Sequence, residues 1–161
     1  MFQWLLDRLE KAGRKSIIMD RDGLKPYLVR YYALFPDSVQ RERKDIPFNV
    51  LIHQFIQSDD PVLHTHPWWY FTLILKGGYW EHLPGDKKVW RGPGSIRFGR
   101  NVTHWVEIPE SGKTWTLFIR GKTSRDWGFI NEFGQWEYWE DYLARKSKVS
   151  VNDHYKIAGQ M

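Results

Sequence analysis

His64-Thr65-His66-Pro67-Trp68-Trp69-Tyr70 is the stretch that organises this chain, and His104 lies well downstream of it in a second strand-like run. In an extended segment, side chains at i and i+2 point to one face, so His64 and His66 can grip one metal ion together. Imidazole suits iron, zinc, copper and nickel, and a third histidine from a neighbouring strand completes a facial set with positions open for water, dioxygen or substrate. The competing reading is a His-x-His pair that only makes hydrogen bonds within an aromatic-rich strand.

The rest of the sequence weighs on that choice. Its 161 residues suit a single domain, 1–161, with a real core. Aromatics make up 17%, with Trp 10, Tyr 8 and Phe 9, which favours a sheet-rich fold whose rings pack between layers or line a pocket. Cys is 0, which excludes a disulfide framework, a thiolate metal site and a cysteine nucleophile; any metal must sit on nitrogen and oxygen. No apolar run approaches membrane-spanning length, and Asp7, Arg8, Glu10 and Lys11 stand where a signal peptide needs apolar residues. The expectation is a soluble, cytoplasmic protein with no membrane partner.

A net charge of +5 and a pI near 9.4 raise the question of nucleic acid. The basic residues fall in short clusters, Arg41-Glu42-Arg43-Lys44, Lys87-Lys88, Arg120 to Arg125 and Arg145-Lys146-Ser147-Lys148, each near a turn or terminus and readable as solvated surface. A basic rim beside aromatics could hold a nucleotide or single strand, but no recognisable nucleic-acid-binding motif is present. A small anionic substrate is the milder inference.

Phe2, Leu5, Leu6 and Leu9 follow helical spacing, which predicts an amphipathic helix over 2–13 that ends near Gly13 and packs as a lid or brace. A barrel follows over 25–132, built of short strands at Tyr27 to Leu34, Phe48 to Gln57, Trp68 to Leu75, Tyr79 to Leu83, Lys88 to Trp90, Ser95 to Phe98, Val102 to Ile108, Trp115 to Arg120 and Trp127 to Ile130. Gly77-Gly78, Pro84-Gly85-Asp86 and Gly92-Pro93-Gly94 are among the turns that separate them. The pattern is that of an all-β antiparallel sandwich or barrel. A C-terminal extension, 135–161, reads as a strand at Trp136 to Trp139, a short helix, and a polar tail from Ser147 that carries His154 as a surface residue.

With the strands placed, His64-Thr65-His66 followed by Phe71 to Leu75 and Gly77 resembles the first motif of the cupin superfamily. Gly94-Ser95-Ile96-Arg97-Phe98-Gly99-Arg100-Asn101-Val102-Thr103-His104 resembles the second. The resemblance spans roughly 48–120 and implies a cupin-type double-stranded β-helix, a jelly-roll barrel. Ile52-His53-Gln54-Phe55, Ser58-Asp59-Asp60, His64-Thr65-His66-Pro67-Trp68, Gly78-Tyr79-Trp80-Glu81 and Trp115 to Gly121 are also similar to small, poorly characterised cupin-like proteins of phage and bacterial genomes. Cupins often dimerise through terminal strands, so the resemblance also implies a homodimer.

Two departures bear on the chemistry. Tyr70 stands where the first cupin motif has its glutamate ligand, and Phe98 replaces the proline of the second. A phenol can ligate iron, but an inward tyrosine more often packs or donates a hydrogen bond. The ligand set the resemblance then implies is three histidines, like those of the thiol dioxygenases within the cupins. Glu81 is the candidate carboxylate. If Gly77-Gly78 closes a hairpin, Glu81 faces Ile74 on the face of Trp68 and Tyr70, but Ile74 is about 26 Å from His66 along an ideal strand. That distance favours a rim or hydrogen-bonding role for Glu81 over ligation. Glu107 has the opposite parity to His104.

His53 shares parity with Leu51 and Phe55; it is a catalytic candidate, as is Tyr70, against the plainer reading of a core histidine satisfied by a neighbour. Asp59 and Asp60 read as turn residues. Trp68, Tyr70 and Arg120 are the candidate substrate contacts, Arg120 as the anchor for a carboxylate or phosphate. The leading function is a metal-dependent enzyme, a non-haem Fe(II) oxygenase using His64, His66 and His104, with Zn, Ni or Mn as alternatives to iron. The 2-oxoglutarate variant is disfavoured because it usually has an acidic ligand where His66 stands. The alternative function is a metal- or small-molecule-binding module, for a sugar or nucleotide, without turnover.

Overall fold

A computed structural model describes residues 2–20, 23–43, 45–110 and 112–146. The tail that carries His154, from Ser147 onward, lies outside the described residues. The chain opens with α1 (Gln3–Lys11), then β1 (Lys15–Met19), β2 (Pro26–Tyr32), α2 (Asp37–Glu42) and β3 (Phe48–Phe55). Next come β4 (Tyr70–Lys76), β5 (Tyr79–Leu83), β6 (Lys87–Arg91), β7 (Ile96–Gly99), β8 (Trp105–Glu107) and β9 (Thr114–Gly121). A hairpin of β10 (Gly128–Ile130) and β11 (Trp136–Tyr138) leads into a helix, α3, at 139–146.

The first layer is a six-stranded antiparallel sheet in the order β1-β2-β3-β9-β4-β7. Facing it is β6-β5-β8, which backbone bonds extend through 59–65 to the β10-β11 hairpin. Asp59 N–H donates to the Val106 carbonyl, His64 and His104 exchange both backbone bonds, and Thr65 N–H donates to the Gly128 carbonyl. This is the cupin-type double-stranded β-helix, with an N-terminal and a short C-terminal helix.

Alternation along the strands of the first layer separates two environments. Val29, Tyr31 and Ile52 face outward and pack with Leu6 and Leu9 of α1, joined by Phe2, Leu5 and Trp115. Helix α1 is therefore a brace on the outer face. It ends at Gly13, where the N–H groups of Gly13 and Arg14 bond back to the Glu10 and Leu9 carbonyls. The opposite residues, among them Arg30, Leu51, His53, Thr116, Phe118 and Arg120, line a cavity between the layers.

Three features depart from the sequence reading. Lys15–Met19 pairs with β2, so the sheet begins ten residues before the expected start at 25. Asp37–Glu42, which lies between expected strands and was assigned no element, closes into a short helix with Asp37 in its first turn. Most consequentially, Gly77-Gly78 does not close a hairpin: β4 pairs with β9 and β7, whereas β5 pairs with β6 and β8. Gly77, at φ +81°, carries the chain from one layer to the other so close to β9 that a side-chain carbon would lie 2.7 Å from the Lys113 carbonyl oxygen. Among the described residues no helix is long and apolar enough to cross a membrane.

Candidate metal centre

His64 sits in an antiparallel bridge, with His104 on one side and Phe129 on the other. The two backbone bonds between His64 and His104 are each 3.0 Å. His66 follows, its ring centroid 5.1 Å from that of His64 and 5.1 Å from that of His104. One nitrogen from each of the three imidazoles lies within 4.8 Å of the others. Nε2 of His66 and Nε2 of His104 are 2.9 Å apart. Two nitrogens at right angles on a metal, with bonds of about 2.0–2.1 Å, stand about 2.9 Å from each other, so this is a spacing of neighbouring ligands.

The hydrogen-bond network sets which ring nitrogens are free. Nδ1 of His104 donates to Glu81 Oε1 at 2.9 Å, and Nδ1 of His64 donates to the Val62 carbonyl at 3.2 Å. Each assignment leaves Nε2 as the lone-pair nitrogen. Burial, reinforced by the charges His64 and His104 would carry, holds His66 well below the usual imidazole range and therefore neutral. Neutral imidazoles with converging lone pairs fit a divalent cation.

Glu81 stands behind His104, on its Nδ1 side, while Nε2 faces the other histidines. It is 0% exposed, and both carboxylate oxygens are engaged: Oε2 accepts from Arg91 at 2.7 and 2.9 Å, and Oε1 from Arg97 at 3.1 Å as well as from His104. Burial by itself would raise this carboxyl; the hydrogen bonds from His104 and Arg91, with the charge of Arg97, outweigh it and hold the group down at about 2. The expected face-to-face pairing of Glu81 with Ile74 is corrected: Glu81 pairs with Val106, two residues from His104, because β5 lies in the opposite layer. The along-strand distance that argued against Glu81 never applied, and its place is that of a carboxylate orienting a histidine rather than of a ligand.

The Tyr70 ring stacks between His104 and Phe118, at 5.7 and 5.6 Å between centroids. Gly99, its partner on β7, makes room for it: a side chain there would collide with the phenol. The Tyr70 hydroxyl is 3.5 Å from Nδ1 of His104, thus on the Glu81 side. Burial, then the Glu81 charge, raises its pKa, so it stays a neutral phenol that walls the cavity. Trp68 presents its ring to the Arg120 guanidinium, 3.9 Å from the centroid. His53 is 4% exposed and stacked on Phe118 at 4.6 Å, and its Nε2 has no hydrogen-bond partner among the described residues. Glu107 turns outward, bonded by His82 at 2.6 Å and Lys88 at 2.8 Å.

Two cavity residues escaped the sequence reading. Asp59 is no mere turn residue: Oδ1 accepts from the Tyr27 hydroxyl, Oδ2 from Val106 N–H at 2.8 Å, and Oδ2 is 4.0 Å from Nε2 of His64. Arg30 also lines the cavity. Its signal was available, as the one charge in the aromatic and apolar run Tyr27-Leu28-Val29-Arg30-Tyr31-Tyr32.

Two facing antiparallel layers with a histidine group opening on the space between them define the class: a cupin-type barrel. The chain is similar to an RmlC-like cupin protein from Ralstonia eutropha, at 10% identity and TM-score 0.51, over 87% of this chain and 84% of that one. It is likewise similar to ectoine synthase from P. lautus, at 7% identity and TM-score 0.53, over 73% and 75%. A third likeness, to a structure of Fe(II) HppE at 15% identity and TM-score 0.48, covers 67% of this chain, which spans 57% of that protein's length. No family model matches the sequence, and no curated protein matches it. At these identities the likeness is one of fold.

Proposed function

We propose that the chain is a metal-dependent enzyme, a non-haem Fe(II) oxygenase, with His64, His66 and His104 as ligands and a small anionic molecule as substrate. The observation that carries this reading is the convergence of three imidazole nitrogens within 4.8 Å at the wall of a cavity of about 120 Å³. Iron held by three imidazoles retains open positions for dioxygen and substrate, and Zn, Ni and Mn are the competing ions. Within the chain, Glu81 keeps His104 in the tautomer that presents Nε2. Tyr70, whose phenol burial keeps neutral, and Trp68 exclude water, Arg120 anchors the substrate's negative group, and His53 Nε2 is the proton-handling atom.

The test is metal analysis of untagged protein beside a His64→Ala/His104→Ala double variant. One ion per chain that disappears in the variant supports the reading, and an equal trace in both ends it. Oxygen consumption with Fe(II) then separates an oxygenase from a binding module. The module has one observation in its favour: an open cleft of about 610 Å³, lined by Arg43, Trp68, Lys122 and Arg125 among others, adjoins the cavity and is wide enough for a sugar or nucleotide.

A further inference from the structure

Six buried side-chain polar atoms lack a hydrogen-bond partner among the described residues. Five of them belong to residues lining the one cavity: Arg30 Nε, His53 Nε2, Trp68 Nε1, Thr116 Oγ1 and Arg120 Nε. Buried polar groups are nearly always satisfied, so their concentration on one surface marks where a polar ligand binds. Three stand in a single cross-strand row, since Arg30 of β2 pairs with His53 of β3, and His53 with Thr116 of β9. Thr116 is 0% exposed.

The charges point the same way. Among the described residues neither Arg30 nor Arg120 forms an ion pair, and the acid lining the cavity, Asp59, is committed to the Tyr27 hydroxyl and the Val106 amide. Burial, and after it the Arg30 charge, pushes Arg120 down to about 10; the nearby Asp37 and Tyr32 offset this only in part. Two guanidiniums that repel each other in a half-buried pocket are stabilised when an anion lies between them. Size narrows the class: a cavity of about 150 Å³ accepts benzene, so about 120 Å³ admits a small acid and excludes a nucleotide.

We propose that Arg30 and Arg120, with the Thr116 hydroxyl and the Trp68 indole N–H, form an oxyanion site for the carboxylate of a small organic acid whose other end faces the three histidines. The inference deepens the proposed function by naming its substrate class, but none of its groups is a metal ligand, so it can fail or hold independently of the metal.

Calorimetric titration of the metal-free protein with propionate, beside propionamide as neutral isostere and inorganic phosphate as the rival oxyanion, tests it. Propionate should bind and propionamide should bind at least about tenfold more weakly. Arg30→Gln and Arg120→Gln should each weaken propionate by about tenfold or more, and Arg30→Lys should retain part of the affinity. Arg30→Gln should not melt earlier than the parent, because it removes one of two repelling cations. Equal binding of amide and acid, or parental affinity in both Gln variants, overturns the site. Tighter binding of phosphate than of propionate overturns the carboxylate assignment.

Discussion

The two faces of the β2-β3-β9 wall are built from alternate residues of the same strands and have opposite characters. Outward, Val29, Tyr31, Ile52 and Trp115 pack with the apolar side chains of α1, and the Lys15 ammonium lies over the Tyr31 ring. Inward, Arg30, His53, Thr116 and Arg120 carry polar atoms with no partner among the described residues, in a cavity that also holds the three histidines. The outer face accounts for stability through apolar burial, roughly 1.5–3 kcal/mol for each large side chain. The inner face forgoes hydrogen bonds that a purely structural interior would make. A fold that satisfies one face and leaves the other unsatisfied has its ligand on the second.

That division can be broken most severely at Glu81, a group of the facing layer on which both stability and site geometry depend. Glu81→Ala leaves Arg91, Arg97 and His104 without their shared anion and should cost about 3–5 kcal/mol in urea unfolding. It should also lower metal affinity by about 10–100-fold, read by competition with a chelator. Acid should reproduce the stability part. With the folded carboxyl at about 2 against an ordinary 4.5, its contribution is complete above about pH 4.5 and is lost as pH falls towards 2, by roughly 3 kcal/mol in all. Glu81→Gln should flatten that dependence; an unchanged acid limb would show that the network does not hold the carboxylate.

A Leu9→Ala substitution tests the outer face alone. Loss of a buried leucine from the brace should cost about 2–5 kcal/mol while metal stoichiometry per folded molecule stays the same. A lost metal in that variant would join the two faces after all. The smallest effect belongs to Tyr70→Phe. The hydroxyl makes only a 3.5 Å contact with His104 and the ring stacking survives, so stability should change by less than about 1 kcal/mol and metal content not at all. A loss of metal would instead make the phenol oxygen a ligand.

Much of this was legible in residue order. Ten of the eleven strands among the described residues lie where alternation and turn residues put them, and the i, i+2 histidines with His104 were readable as one group before any fold was known. Strand β1 was missed because Lys15-Ser16-Ile17-Ile18-Met19 follows the helix after one short turn, and its identity as a strand rests on pairing with β2. The partner expected of Glu81, Ile74, was wrong for a related reason, although its hydrogen-bonding role was the one expected. Strand parity is a local property, but whether β4 and β5 pair or part depends on β9 and β8 being available as partners.

The sequence by itself determined which residues could serve: three imidazoles, no thiols, an aromatic strand set, and the alternation that assigns each side chain to one face. The period of a strand is two residues whatever surrounds it, so these assignments need no tertiary information. Only the tertiary structure decided that Gly77 crosses between layers, that Glu81 therefore stands behind His104, and that Arg30 and Arg120 share a cavity with no ion pair to either among the described residues. Those facts depend on non-local pairing, where segments far apart in the chain compete for the same sheet edges, and no local pattern encodes the outcome.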